Sequence, residues 1–218
     1  MHLQILTSKS SWLFNNKKKF LNNLKKIKKI KKIEFINKSQ DISNKANIIF
    51  VLSYYKIIPL KFLNRNKHIY VIHDSDLPRG RGMSPLFNQI LKGKKNIVST
   101  IFRCGKNLDN GKIVFKKKFF YPDNFIYDEI KNNQMQNNII IIKKFITLFT
   151  KRKIKFKSQK GKATYYKKIS EKKNNIDKSK SIISQFDKIR TRDNKFFRAF
   201  FVHKKRKYFI KIEPENSA

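Results

Sequence analysis

The chain has 218 residues, of which 39% are hydrophobic and 20 are phenylalanine, so it can bury the core of one sizeable domain. Its 53 Lys and Arg residues against 14 acidic ones give a net charge of +39, which favours an anionic partner, although codons rich in A and T produce the same excess of Lys, Asn, Ile and Phe. The lone Cys104 excludes an internal disulfide, and neither it nor the four histidines have metal-ligand spacing, so we expect no metal.

Apolar runs alternate with helical patterns in the first third of the chain. Strands are predicted at residues 2–8, 31–38, 47–55 and 68–72. A lysine-rich helix follows the first strand, with Phe20, Leu24 and Ile27 at helical spacing. Because continuous apolar runs suit strands that are buried on both faces, we expect an α/β fold with a mostly parallel twisted sheet.

The middle of the chain continues this alternation. Ser84 and Pro85 are typical of a helix start, and Gly93 is typical of its end. Strands are predicted at 96–103 and 113–120, around a turn that contains Asp109-Asn110-Gly111. A long helix is predicted over 123–149, with Asp123 as its cap.

The composition changes after Thr150. Residues 151–168 are basic and lack a clear period, which indicates a linker. A helix is predicted over 176–190 and a hairpin over 195–213, with Lys204-Lys205 near its turn. We therefore divide the chain into a domain at 1–150 and a small helix-plus-hairpin appendage at 151–218, whose hairpin leaves pairing into a homodimer open.

Targeting signals are not evident in the sequence. The N-terminal segment has no charged region ahead of an apolar core, and no stretch approaches the roughly eighteen apolar residues of a membrane span. We expect no signal peptide, no membrane span and a cytoplasmic location.

Polar side chains gather where the predicted strands end. His73 ends one strand, Tyr54-Tyr55 ends another, and Asp109 lies on a turn after a third. Parallel sheets bind ligands beyond the carboxyl ends of their strands, so these residues predict a site there.

The segment HDSDLPRGRGMSP, residues 73–85, resembles the signature of the folate-dependent formyltransferases. That family includes glycinamide ribonucleotide formyltransferase, methionyl-tRNA formyltransferase and the sugar N-formyltransferases. The residues that match the family signature at the same spacing are His73, Ser75, Leu77, Pro78 and Gly82. Asp109 matches the family's Asp-x-Gly aspartate, 36 positions after the histidine (109 − 73).

The resemblance implies a Rossmann-like formyltransferase fold, 10-formyltetrahydrofolate as cofactor, and His73 and Asp109 as catalytic residues. It also implies that the cofactor contacts Tyr55, Lys56, Ile57, Ile58, Ser75, Leu77, Pro78, Gly82 and Gly111. One position departs from the pattern. The family has an asparagine two places before the histidine, which donates its amide to the formyl oxygen, and Val71 stands there instead.

The acceptor is open between several classes. The variant SDLP and the tail FDKIRTRDNKFFRAFF look closest to the sugar N-formyltransferases, which implies an amino sugar or a nucleotide-linked amino sugar as substrate. The positive charge favours methionyl-tRNA, whereas the short region after Thr150 argues against it. A non-catalytic, basic nucleic-acid-binding relative is a further alternative, and a purine-pathway enzyme is disfavoured because the N-terminal segment lacks a glycine-rich phosphate loop.

Charged residues of the motif also have structural interpretations. Asp74 and Asp76 are expected to pair with nearby lysines. Arg79 and Arg81, set beside glycines, either bind an anionic group or form a solvated loop.

Overall fold

A six-stranded sheet forms the centre of the structure, a computed structural model that describes residues 1–215. In chain order the strands are β1 (His2–Leu6), β2 (Lys32–Ile36), β3 (Ile48–Val51), β4 (Ile69–His73), β5 (Arg81–Gly82), β6 (Asn96–Arg103), β7 (Ile113–Phe120), β8 (Tyr165–Tyr166), β9 (Ala199–His203) and β10 (Arg206–Ile210). The α-helices are α1 (Trp12–Asn15), α2 (Lys17–Lys25), α3 (Leu60–Leu63), α4 (Pro85–Ile90), α5 (Tyr127–Thr150) and α6 (Phe186–Arg190).

The sheet has the order β2-β1-β3-β4-β6-β7. Its first four strands are parallel, as the apolar runs predict, and β6 and β7 are antiparallel additions at one edge. Because β6 runs against β4, Thr100 lies opposite His73, while Arg103 at the end of β6 lies opposite Tyr70. The turn after β6 therefore starts away from the carboxyl end of β4 and has to fold back to reach it.

Helices cover both faces of the sheet, which confirms the α/β class. On one face, Phe20 of α2 and Phe145 of α5 belong to the main buried cluster, where the Phe145 ring lies 5.3 Å from Phe50 and 4.4 Å from Tyr70. On the other face, Phe62 of α3 packs in a second cluster with residues of β1, β3 and β4. Burial of these apolar side chains is the main favourable contribution to folding.

Two predicted helix boundaries are wrong. The long helix begins at Tyr127, because Glu129 accepts a hydrogen bond from the Ile126 N–H at 2.9 Å, whereas Asp123 pairs with Lys95 outside the helix. The helix expected over 176–190 is helical only from Ile183. Asp177 instead binds the N–H and hydroxyl of Ser179, a local side-chain interaction that competes with helix formation.

The start of α4 and the C-terminal hairpin agree with the sequence predictions, whereas the strand predicted over 47–55 ends at Val51 and the predicted linker contains β8. Pro85 begins α4, and Gly93, with φ +73°, follows its end. Strands β9 and β10 pair as the predicted hairpin, and both turn residues have left-handed backbone angles, with φ +44° at Lys204 and +63° at Lys205. Within the described residues, no helix is both long enough and apolar enough to cross a bilayer.

Candidate active site

A cleft of about 470 Å³ opens beyond the carboxyl ends of β3 and β4. Several predicted site residues line it, namely Tyr55, Lys56, Ile57, His73, Gly82 and Asp109. A larger cavity of about 610 Å³ lies elsewhere, against His68, Arg103 and Phe149, and none of the predicted site residues lines it. We therefore place the candidate site in the first cleft, where the ionisable side chains converge.

His73 is buried at the end of β4 and is held by its Nε2 atom. Nε2 lies 2.8 Å from the carbonyl oxygen of Gly80. Because a carbonyl can only accept, Nε2 carries the proton and donates it to Gly80. In the neutral imidazole, Nδ1 is then the unprotonated nitrogen, and it faces the Asp109 carboxylate at 3.8 Å.

Asp109 reaches His73 because the turn after β6 folds back on itself. Its backbone is left-handed, with φ +48°, and its Oδ2 atom accepts the Gly82 N–H at 2.8 Å. Gly111 permits this path, since a Cβ there would lie 1.7 Å from the carbonyl oxygen of Arg103. Burial and the Asp109 carboxylate raise the pKa of the Cys104 thiol, at the base of this turn, to about 11, so it stays protonated at neutral pH.

The segment expected to be a linker supports this turn. Gln159 donates to the carbonyl oxygens of Asp109 and Gly111 at 2.8 and 3.0 Å. Strand β8 pairs with β5 next to the site, where a Cβ on Gly82 would lie 2.5 Å from the Tyr166 carbonyl oxygen. The sequence gives little signal of this role, because it depends on a two-residue strand and on hydrogen bonds between distant positions.

Arg81 belongs to the same support. Its side chain is buried, and its Nη2 atom donates to Asn110 and to Gln159 at 2.5 and 2.7 Å. Neither interpretation offered for it by the sequence, anion binding or a solvated loop, fits this position. Arg79 is exposed and pairs with Asp76, which also binds Lys116.

Five residues predicted to contact a cofactor do not line the cleft. Ile58 is buried in the second core cluster, Leu77 packs against Phe102 and Ile113, and Ser75 is buried with no hydrogen-bond partner for its hydroxyl among the described residues. Pro78 follows a cis peptide bond, and Gly111 lies against the backbone of β6. These positions shape the loops around the cleft rather than its wall.

The cleft also contains Lys131, which sequence reasoning missed, and Asp74, which was expected to pair with a lysine but bonds to neutral side chains instead. Asp74 is buried, where it accepts hydrogen bonds from Ser99 at 2.6 Å and from Gln134 at 2.5 Å. Burial lowers the pKa of Lys131 to about 8, although the charge of Asp74 opposes this shift. The position of Asp74 next to His73 in the sequence could have indicated that it lies in the site. Nothing in the sequence distinguishes Lys131 from the many other lysines.

Val71 lines the cleft two residues before His73, and alternate residues of a strand point to the same face. Its side chain therefore occupies the place expected for a hydrogen-bond donor, and an isopropyl group cannot donate. Any donor to a reacting oxygen has to come from another group of the cleft.

Comparisons with known proteins identify relatives of this chain by sequence. A sequence profile of the family described as Formyl transferase matches residues 14–124. Methionyl-tRNA formyltransferase of Thermotoga neapolitana is 29% identical over 191 residues, covering 84% of this chain and 61% of the relative. Other curated relatives are covered over 32% to 48% of their length, so the chain spans less than two thirds of these proteins.

Solved structures share the fold. Methionyl-tRNA formyltransferase from Clostridium thermocellum superposes with a TM-score of 0.74 at 22% identity, covering 95% of this chain and 90% of that chain. An N-formyltransferase from Helicobacter canadensis, in complex with folinic acid and dTDP-3-aminofucose, gives a TM-score of 0.64 at 18% identity, covering 88% and 80%. At these identities the likeness concerns the fold alone.

Proposed function

The chain belongs to the formyl transferase family, and from this premise we propose that it transfers a formyl group from 10-formyltetrahydrofolate to a primary amine. The observation that carries the proposal is the convergence of His73 and Asp109, at 3.8 Å, in one cleft. The two residues lie 36 positions apart (109 − 73), and the turn between β6 and β7 has to fold back to bring them together.

The cleft fits a folate in size and surface. Its volume of about 470 Å³ lies in the range of small-molecule sites. Tyr55 and Ile57 on its wall are 50% and 75% exposed, an unusual exposure of apolar groups that a flat ring system would cover. We assign the cofactor contacts to Tyr55, Lys56, Ile57 and Gly82, and the bound cofactor supplies the formyl group.

His73 is proposed to act as the base through Nδ1. An amine must lose a proton as it attacks, and Nδ1 is free to take it because Nε2 donates to Gly80. The Asp109 carboxylate then stabilises the imidazolium. In this scheme the Gly80 carbonyl, and not Asp109, orients the ring, because it accepts the hydrogen bond from Nε2.

The protonated imidazole has a second role in this proposal. Negative charge develops on the formyl oxygen during attack, and donors aimed at it contribute strongly to rate. Because Val71 offers no donor, we assign this interaction to the Nδ1–H of His73. Nδ1 would thus take the proton of the attacking amine, hold it against the oxygen of the tetrahedral intermediate, and release it to the folate nitrogen as the C–N bond to that nitrogen breaks.

For the acceptor we propose methionyl-tRNA. The curated Thermotoga neapolitana relative is a methionyl-tRNA formyltransferase, and a net charge of +39 suits a polyphosphate partner. The short C-terminal region still counts against this acceptor, because the match covers 61% of the Thermotoga neapolitana relative, although it covers 90% of the Clostridium thermocellum chain.

A nucleotide-linked amino sugar is the second candidate. It is the acceptor that the sequence motifs favoured, and the Helicobacter canadensis relative in complex with dTDP-3-aminofucose supports it. Both candidate acceptors combine a primary amine with phosphate groups.

The test is a turnover assay with 10-formyltetrahydrofolate and two acceptor panels, methionyl-tRNA and nucleotide-linked 3-amino and 4-amino sugars. We expect formylated methionyl-tRNA from the wild-type chain and a loss of about a hundred- to ten-thousand-fold in His73→Asn. His68→Asn, which removes a histidine from the other cavity, is the matched control and retains activity. Full activity of His73→Asn would refute the assignment, and formylation of sugars alone would select the second acceptor.

A further inference from the structure

Arg192 is a buried cation on the wall of the cleft. It lies in the segment between α6 and β9, and only 2% of its surface is exposed. Its neighbours on the cleft wall include Tyr127, Lys131 and Phe197, and its guanidinium lies 5.4 Å from the Phe197 ring. The sequence motifs assign it no role.

The hydrogen bonds of this guanidinium are incomplete. Nη1 reaches only the carbonyl and hydroxyl oxygens of Thr191, at 3.4 and 3.3 Å. Nε and Nη2 are shielded from solvent and have no partner among the described residues, so a ligand has to part the cleft wall to reach them. The adjacent Asp193 does not help, because its carboxylate accepts from the backbone N–H groups of residues 195–197.

Arg190 provides an internal comparison two residues earlier. It is equally buried, but its Nε donates to Asp187 at 2.7 Å and its Nη1 donates to the carbonyl oxygens of Pro122 and Phe125. Arg190 therefore has the contacts of a structural arginine. Arg192 has the same burial without a carboxylate partner, an arrangement that costs free energy unless a ligand compensates it.

The two free nitrogens of Arg192 lie on the same edge of the guanidinium. The Nε–H and Nη2–H bonds point in parallel, which is the pair that binds two oxygens of a phosphate or carboxylate at once. Burial also lowers the pKa of Arg192 to about 10, so the group is still charged at neutral pH.

We propose that Arg192 forms an oxyanion subsite of the cleft, which binds a phosphate of the acceptor or a carboxylate of the folate tail through Nε and Nη2. The identity of the ligand rests on the proposed function. The binding of an oxyanion to Arg192 can be measured without turnover. With this subsite, the cleft would select a ligand for its negatively charged group as well as for its amine.

Calorimetric titration of the full chain with inorganic pyrophosphate and, separately, with 5-formyltetrahydrofolate tests the subsite at constant physiological salt. The matched control is Arg206→Met, which removes the same charge from the exposed hairpin. Relative to that control, we expect Arg192→Met to lower the affinity for one of the two probes by about ten- to a hundred-fold. The probe whose affinity falls identifies the source of the oxyanion. Arg192→Lys should recover only part of the loss, because an ammonium cannot form the parallel pair of bonds.

Thermal unfolding without ligand separates this role from a structural one. Removal of an uncompensated buried charge should leave the melting temperature of Arg192→Met equal to or above that of the wild type, whereas Arg190→Met should lower it. Equal affinities of Arg192→Met and Arg206→Met for both probes would overturn the proposal. A negative turnover assay with intact probe binding would count against the proposed reaction and not against the subsite.

Discussion

Gly111→Ala should impair the site while leaving most of the core in place. The new Cβ would lie 1.7 Å from the Arg103 carbonyl oxygen and 2.9 Å from the Phe102 ring, whereas real Cβ atoms essentially never come within 3.0 Å of such atoms. The backbones of the turn and of β6 must separate by about 1.3 Å to restore that distance. This shift moves Asp109, which lies two residues away, and a misplacement of about 1 Å near a reacting centre can cost about a hundred-fold in rate.

The assay is the rate of formyl transfer, with thermal unfolding measured in parallel. Gly105→Ala is the control from the same turn, since its Cβ would meet nothing nearer than 3.9 Å. We expect about a hundred-fold loss in Gly111→Ala and a near-normal rate in Gly105→Ala. A normal rate in Gly111→Ala would refute the claim that the close approach of Gly111 to β6 positions Asp109.

Three further predictions follow from the cleft and the sheet edge. Val71→Asn should restore a donor to the formyl oxygen and raise kcat by up to about a hundred-fold; an unchanged kcat in a folded variant would contradict this. With ¹³C-methyl groups on Lys131, NMR should show its amine titrating with a pKa of about 8. In Asp74→Asn the pKa of Lys131 should fall further, because the Asp74 carboxylate favours the charged amine. Titration near 10.5 would contradict the burial of the amine. The pKa of Glu34 is lowered to about 2, chiefly by Lys32, so its carboxylate should stabilise the fold above pH 4.5 and lose this effect as the pH falls toward 2. The difference in melting temperature between wild type and Glu34→Gln should therefore shrink over that range, and a constant difference would contradict this prediction.

Much of the fold follows from patterns that are local in sequence. The parallel strands β1, β3 and β4 are apolar runs that are largely buried, and the hairpin at Lys204-Lys205 follows from two strand patterns around a short turn. The direction of β6 was not accessible in this way. Its sequence is equally apolar in either orientation, and its antiparallel pairing with β4 depends on the path that the chain takes through β5 and α4.

The site was predictable only where spacing carried information. The pairing of His73 with Asp109 came from a family register, because neither residue alone is distinctive. Arg192 and Gln159 could not be identified from the sequence, since their roles arise from burial and from contacts between distant segments. In a chain with 53 lysines and arginines, composition also cannot distinguish a functional cation from the others.

A double-mutant cycle between His73 and Asp109 tests the central claim most directly. The measured quantity is kcat/KM for formyl transfer in the wild type, His73→Asn, Asp109→Asn and the double variant. If the carboxylate acts through the imidazole that it faces at 3.8 Å, each single change removes most of the activity and the double change removes little more. Losses that simply multiply would mean that the two groups act independently, and they would contradict this account.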